Sequence, residues 1–422
     1  MRRGWWSVLG FLMSLAACSG EQAGTTNDGE SAADPMTHAR AVLERTPIFD
    51  GHNDLPWEIR ASKEAPMDVA SYDLNQPVPG HTNLELLEAG GVGAQFWSVY
   101  IPGEYADSGF ARLQLEQIDV ARRMIDRYPE LVLASTADEV ESVMAEGRIA
   151  SMLGVEGGHA IENSLGALRV YYDLGARYMT LTHNVTLDWV DAAQDTARHD
   201  GLTGFGEEVV REMNRLGMLV DLSHVSPATM SDVLNVSEAP VMFSHSSARA
   251  LTDVPRNVPD SILARMPANG GVVMVTFVQP FVNQDAADYD DRLGEVIQEM
   301  RDRGVSEDEI RTEDERVRRE SPRPTASVDD IADHIEHVRD VAGIDHVGIG
   351  ADYDGMNAPA VMPDVSSYPF LFARLIERGW TDDDLGKLAS GNILRAMREG
   401  EAVAVRLRAE REPSTAVISD FD

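Results

Sequence analysis

Pro47-Ile48-Phe49-Asp50-Gly51-His52-Asn53-Asp54 is the stretch whose reading decides the fold. It reads as a short buried strand that runs straight into a His-x-Asp pair. Side chains alternate faces in extended backbone, so His52 and Asp54 point the same way, roughly 6.6 Å apart along the chain. An imidazole nitrogen and a carboxylate oxygen at that separation can converge on one divalent ion, and both are good zinc ligands. A lone His-x-Asp also suits a surface turn or a helix cap, so the residues at the ends of the other strands carry the weight.

Outward from this stretch the chain alternates strand and helix patterns. Short apolar runs fall at 47–51, 93–98, 149–155, 178–182, 217–222, 240–244, 272–277 and 347–350. Helical patterns lie between them near 108–128, 136–146, 160–174, 204–216, 226–236, 259–267 and 326–342. A helix at 36–45 precedes the first strand, and helices near 366–378, 381–389 and 391–399 come after the last. Eight continuous apolar strands joined by crossover helices predict a parallel sheet of the α/β class. Eight is also the number that closes a (β/α)8 TIM barrel. A charged segment, 284–324, interrupts the connection between the seventh strand and its helix. Leu293, Val296, Ile297 and Met300 recur there at helical spacing, which predicts an amphipathic helix. As a strand-to-helix loop it emerges on the C-terminal face of the barrel, as a lid, a subunit contact or a solvated insertion. The tail after Ala409 is polar and reads as loose.

Composition bounds the function. Hydrophobic residues make up 43% and charged residues 25%, ordinary for a soluble globular chain. The formal net charge of −35 argues against nucleic acid as a partner, because little is available to neutralise phosphates. At the N-terminus, Arg2-Arg3 precede an apolar run from Trp5 to Ala17 and then Leu15-Ala16-Ala17-Cys18. This has the form of a secretory signal, 1–17, too short to favour a transmembrane helix. It resembles a bacterial lipobox, in which the chain's single cysteine, Cys18, is lipidated. Residues 18–36 then form a flexible Gly/Ser/Thr/acid-rich tether, 37–405 the barrel domain and 406–422 a polar tail. The expected location is the bacterial cell envelope, lipid-anchored at the outer membrane and facing the periplasm.

The strand ends carry the chemistry. The first strand delivers His52 and Asp54, the third Glu156, the fourth His183, the fifth His224, the sixth His245 and the eighth Asp352. Four of the chain's 11 histidines therefore fall at one predicted rim, which packing alone does not explain. The natural partition places His52 and Asp54 on one divalent ion, His224 and His245 on a second, and Glu156 between them. Lys63 and Lys387, the only lysines, lie far from any strand end, so a carbamylated lysine bridge is excluded. Two such ions hold a water, lower its pKa and polarise the carbonyl it attacks. Mixed nitrogen and oxygen ligation suits zinc, with cobalt or manganese as alternatives. His159 reads as structural. His334 and His337, spaced i, i+3, read as solvated surface, because Ile331, Ile335, Val338 and Ala342 mark that helix's apolar face.

The motifs His52-Asn53-Asp54-Leu55-Pro56, Gln95-Phe96-Trp97-Ser98-Val99-Tyr100, Gly154-Val155-Glu156-Gly157-Gly158 and Leu181-Thr182-His183-Asn184 together resemble the membrane dipeptidase (renal dipeptidase) family. So do Asp221-Leu222-Ser223-His224, Phe243-Ser244-His245-Ser246, Arg256-Asn257-Val258-Pro259-Asp260 and Gly350-Ala351-Asp352-Tyr353-Asp354-Gly355. The resemblance covers roughly residues 40–400. It implies a zinc-dependent hydrolase of free dipeptides, including those with a C-terminal D-residue, that attacks with a hydroxide bridging two zinc ions. It also implies His52, Asp54, Glu156, His224 and His245 as ligands, with His183 stabilising the oxyanion. Arg256 would bind the terminal carboxylate, Asp352 would move the proton, and Tyr100 would line the pocket. The chain departs from animal members in lacking disulfide cysteines and a C-terminal anchor signal and in carrying the 284–324 insertion. The first two departures put anchoring and covalent dimerisation in doubt, not the chemistry, and leave a homodimer open; the insertion bears on which side chains are accepted. The competing readings are a related amidohydrolase acting on a lactam, lactone or β-lactam, and a zinc-holding binding lipoprotein without turnover.

Overall fold

The computed structural model describes residues 34–103 and 109–421. The predicted signal, Cys18 and nearly all of the tether lie outside the described residues. Among the described residues, no helix is long and apolar enough to cross a membrane.

All eight predicted strands are present, with a ninth among them. In chain order they are β1 (Ile48–Asn53), β2 (Val92–Ser98), β3 (Leu131–Leu133), β4 (Ile149–Glu156), β5 (Ala176–Thr180), β6 (Leu219–Asp221), β7 (Val241–Phe243), β8 (Val272–Val275) and β9 (Val347–Ile349). Every pairing is parallel, in the order β1-β2-β4-β5-β6-β7-β8-β9, and β3 is a short addition that pairs with β4 outside that circuit. The sheet comes round on itself where Asn53 bridges Tyr353. There Asp54 N donates to Tyr353 O at 2.9 Å and Asp352 N to His52 O at 3.2 Å. The result is a (β/α)8 TIM barrel.

Period-two alternation explains why these runs form a barrel and not a flat sheet. Phe49, Phe96, Met152, Tyr178, Leu219, Met242 and Met274 belong to a buried inner cluster. Their neighbours Ile48, Trp97, Leu153, Met179, Val220, Phe243 and Val273 belong to the outer cluster, where the helices cover them. Two buried carboxylates tie the strands together at the rim. Asp50 accepts hydrogen bonds from His52 N (2.8 Å), Gln95 Nε2 (2.9 Å), Ala351 N (2.9 Å) and the Tyr368 hydroxyl (2.9 Å), joining β1, β2, β9 and the helix Tyr368–Glu377. Asp221 accepts from Thr180 Oγ1 (2.5 Å), Ser223 N (3.0 Å), Ser244 N (2.8 Å) and Ser244 Oγ (2.6 Å), joining β5, β6 and the end of β7.

The helices differ from expectation in detail. Leu55–Ala61 and Leu84–Gly90, not anticipated, are short and sit directly after a strand end or a loop. The pattern at 259–267 breaks into Asp260–Leu263 and Met266–Asn269, with Pro267 in the first turn of the second. The insertion forms two helices, Gln284–Asp302 and Glu307–Glu320, the second opened by a Ser306–Glu309 capping box. Of the predicted stripe only Leu293 is buried, because the second helix is almost wholly charged and offers Ile310 alone as a buried residue. The tail is not loose. The last helix, Asn392–Glu410, runs past Ala409. The chain then returns along Gly204–Leu216, with Ser414 N donating to Glu212 Oε2 at 3.3 Å and Phe421 set edge-on to Phe205.

Gly154 marks a very close contact inside the barrel. A β-carbon there would stand 2.0 Å from the Tyr178 ring, which is fully buried and unable to swing away. Gly154→Ala should therefore lower unfolding free energy by about 3 kcal/mol or more, beyond the usual overpacking range of roughly 1–3 kcal/mol. The denaturant midpoint measures it.

Candidate metal centre

The predicted rim residues converge. Glu156, at the end of β4, is 4% exposed and lies among the ring nitrogens of three other strand ends. Its Oε1 is 3.0 Å from His224 Nε2 and 3.5 Å from His245 Nε2, while its Oε2 is 3.5 Å from His52 Nε2. His52 Nε2 is in turn 3.4 Å from Asp54 Oδ2 and 3.8 Å from Asp352 Oδ1. His183 Nε2 stands 3.8 Å from Glu156 Oε1. Three overlapping sets can each hold an ion: His52, Glu156 and His245; Glu156, His183 and His224; His52, Asp54 and Asp352.

The second nitrogen of each ring decides what the first can do. Ser244 Oγ donates its one proton to Asp221 Oδ2 at 2.6 Å, so its oxygen accepts from His245 Nδ1 at 2.8 Å. Asn184 Oδ1 accepts from His224 Nδ1 at 3.1 Å, and the Tyr178 hydroxyl oxygen lies 2.8 Å from His52 Nδ1. With the protons on Nδ1, the Nε2 lone pairs face inward. Two of those nitrogens, on His224 and His245, are only 2.9 Å apart. His52 Nε2 and Asp54 Oδ1 are buried without a hydrogen-bond partner. Lone pairs crowded together and orphaned buried acceptors are what a cation would satisfy, so this donor set fits divalent ions.

Electrostatics agree. Burial first, then the charges of Arg256 and neighbouring histidines, pushes His224 and His245 well below the usual imidazole range, keeping both neutral. Burial works against the charge of Glu156, yet His52 and His224 beside it hold its carboxyl well below the usual range. Burial also disfavours the charged form of His52, but Tyr178, Glu156 and Asp54 outweigh it and raise this imidazole well above the usual value. The carboxylates beside His52 thus favour positive charge at this point, which a bound cation would supply. Burial raises Asp352 well above the carboxylate range, with Asp54 and Glu156 adding to it.

His224 (φ 70°), Asp352 (φ 73°) and Asp354 (φ 67°) all adopt left-handed backbone, a conformation that costs energy in non-glycine residues and gathers at working sites. The groups open into a cavity of about 440 Å³, whose wall includes Tyr100, His183, Arg256, Asp352 and Glu58. Arg256 is fully buried, which lowers its pKa to about 10; it donates to Ser246 Oγ at 2.8 Å and to His245 O at 3.1 Å. The Tyr100 ring packs against His183, with centroids 4.9 Å apart. A larger hollow, about 670 Å³, opens at the starts of the strands beside Pro47, Gly93 and Ile149, and none of the three ion-holding sets lies there.

The other histidines have structural partners. His159 Nε2 pairs with Ile101 O at 2.9 Å, His337 with Asp260 at 2.8 Å and His346 with Gly271 O at 2.7 Å. His334, expected on the surface, is buried. Its Nδ1 accepts from Ala248 N at 3.0 Å, because the loop after β7 folds over that helix face. Sequence reasoning missed Tyr178, Asn184, Ser244 and Asp221 as partners of the rim histidines. Their one signal was adjacency, since Asn184 comes directly after His183 and Ser244 directly before His245.

Ser244→Ala removes the oxygen that fixes His245, together with one of the four hydrogen bonds to Asp221, and keeps the backbone Ser244 N donation to that carboxylate. The expected outcome is a loss of metal affinity of about 10- to 100-fold, read by competition against a chromogenic chelator.

Comparison with known proteins gives the same answer as the geometry. The family model for membrane dipeptidase (peptidase family M19) matches residues 36–411. Dipeptidase 3 of Mus musculus is 40% identical over 371 residues, spanning 86% of this chain and 66% of that protein. Among solved structures, the probable dipeptidase PvdM of Pseudomonas aeruginosa superposes with a TM-score of 0.76 at 23% identity, over 88% of this chain and 99% of that one. A Rhodobacter sphaeroides metallopeptidase bound to a phosphinate mimic of L-Ala-D-Ala gives 0.69 at 24% identity, over 84% and 99%. The chain belongs to the membrane dipeptidase family of metallopeptidases, peptidase family M19.

Proposed function

We propose that this chain is a zinc-dependent dipeptidase that hydrolyses the single peptide bond of free dipeptides, including those ending in a D-residue. The observation that carries the reading is Glu156, whose two oxygens face different histidines and so can serve two ions at once. His52 and Asp54 would hold one ion, His224 and His245 the other. Two such ions, when bound, supply Lewis-acid polarisation of a carbonyl and activation of a water. The phosphinate dipeptide mimic held by the Rhodobacter sphaeroides metallopeptidase supports the substrate class.

The chain's own residues then bind, orient and move protons. Arg256, held by Ser246 and His245 O, keeps further N–H donors for the terminal carboxylate of the dipeptide. His183, at the cavity wall, would face the attacked carbonyl oxygen and stabilise the negative charge that develops there. Asp352 carries a raised carboxyl pKa beside the ion-holding groups, which suits it to take a proton from the attacking water and pass it to the leaving amine. Tyr100 forms part of one wall, and a cavity of about 440 Å³ has room for a dipeptide. The predicted signal and Cys18 support a lipid-anchored enzyme of the bacterial cell envelope, at the outer membrane and facing the periplasm.

L-Ala-D-Ala should be hydrolysed by zinc-loaded protein, not by chelator-treated protein, and zinc should restore the rate. Asp352→Asn should keep its metal and lose about 10²- to 10⁴-fold in kcat. Glu156→Gln should bind metal poorly and be inactive. Cleavage of a lactone or lactam panel with no dipeptide turnover would defeat the reading. For the anchor, a fatty-acid probe fed to expressing cells should label the wild type and leave Cys18→Ser unlabelled.

A further inference from the structure

A dipeptide carries opposite charges at its two ends, and the lining of the cavity is divided in the same way. This inference rests on the dipeptidase reading and extends it to the substrate's amino end, for which the assignments above provide no partner. Among the described residues of the cavity wall, Arg256 is the one Arg or Lys. From it a succession of contacts crosses the rim. Arg256 Nη2 donates to His245 O at 3.1 Å, and the His245 and His52 ring centroids are 3.8 Å apart. His52 Nε2 is 3.4 Å from Asp54 Oδ2, and Glu58 N donates to Asp54 O at 3.1 Å. Glu58 therefore stands one helical turn beyond Asp54, at the far end of that succession from Arg256.

Three features of that end suit an organic cation. Glu58 is half-buried in the cavity wall, on the helix Leu55–Ala61, and no Arg, Lys or His among the described residues pairs with it. Asp354, also part of the wall, is 6% exposed. Its Oδ1 accepts from His81 N at 2.5 Å, but its Oδ2 is buried with no hydrogen-bond partner. Trp57 and Tyr100, edge to face with centroids 5.1 Å apart, complete an aromatic wall beside these carboxylates. Carboxylates with an uncompensated oxygen and an adjacent aromatic wall attract an ammonium group.

We propose that Glu58, backed by the buried carboxyl group of Asp354, is the subsite for the free α-ammonium of the dipeptide. Fully extended, a dipeptide spans roughly 7 Å, and with its carboxylate at Arg256 and its ammonium at Glu58 the peptide bond would lie between the two charged anchors. An acylated amino terminus would set a neutral group against two carboxylates. The subsite thus makes a free amine a requirement and blocks extension at that end.

The test compares L-Ala-L-Ala, its des-amino analogue propionyl-L-Ala and L-Lys-L-Ala on zinc-loaded wild type and on Glu58→Gln, with metal content measured in both. The expected result is that Glu58→Gln loses about 10- to 100-fold in kcat/KM for Ala-Ala, mainly through KM. Propionyl-Ala should change less than about threefold, with metal content retained, and Glu58→Asp should recover part of the loss. Asp354→Asn should produce the same substrate-selective pattern. An equal loss on Ala-Ala and propionyl-Ala, or no loss on Ala-Ala, overturns the proposal. A loss confined to Lys-Ala also overturns it, since the cation bound would then be a side chain. Wild type inactive on every dipeptide would instead overturn the dipeptidase reading itself, a result distinct from an active wild type with an unaffected Glu58 variant.

Discussion

A carboxylate buried among imidazole nitrogens is the interaction on which the rest of this structure depends. Glu156 is 4% exposed, and the partners nearest its oxygens are His52, His224 and His245, with Ser98 Oγ at 3.2 Å. An isolated buried charge is untenable, so something positive must accompany it. Without an ion, Tyr178 and the carboxylates of Glu156 and Asp54 raise the pKa of His52 and so favour a proton there. In the proposed working state, divalent ions take over the role. Three of the ring histidines are prepared for them by oxygen atoms at Nδ1, from Tyr178, Asn184 and Ser244. The local cost of gathering so many acceptors thus resides in the same groups that make the site reactive.

The barrel supplies what such a cluster needs, side chains brought from distant sequence onto a rigid rim. Asp50 and Asp221 each accept four hydrogen bonds just beneath the rim, so the strand ends cannot shift independently. Two of the strained positions sit directly beside this network, His224 after Ser223 and Asp352 after Ala351, while Asp354 is bonded to His81. Strain of about 1–3 kcal/mol at each such residue persists only where surroundings over-determine the backbone. The insertion is attached near the site, because Val278 and Phe281, just ahead of it, line the cavity. Its own helices contribute few buried residues and stay largely outside that network.

Much of this was legible in the chain. Alternating apolar runs mark the strands, since every second residue must face the barrel interior, and the residues just after them are placed at the rim by topology alone. The histidine near the end of β1, those after β5, β6 and β7, and the carboxylate ending β4 came from that rule. Short elements escaped it. β3 is three residues, too brief to show a period, and Leu55–Ala61 begins directly on the strand-end motif. His334 was misplaced because its position off the helix's main apolar stripe suggested solvent, whereas the loop after β7 covers that side. The partners at Nδ1 carried no periodic signal: a tyrosine in mid-strand has none, and a serine before a histidine is marked by adjacency alone. Glu58 was missed because one carboxylate on an exposed-looking helix turn gains meaning only when the cavity is formed.

The most direct measurement is anomalous diffraction at the zinc edge from crystals of the zinc-loaded protein. The account predicts two peaks on either side of Glu156, one in contact with His52 and Asp54 and the other with His224 and His245. A single peak that does not touch Glu156, or peaks only elsewhere on the molecule, would contradict it.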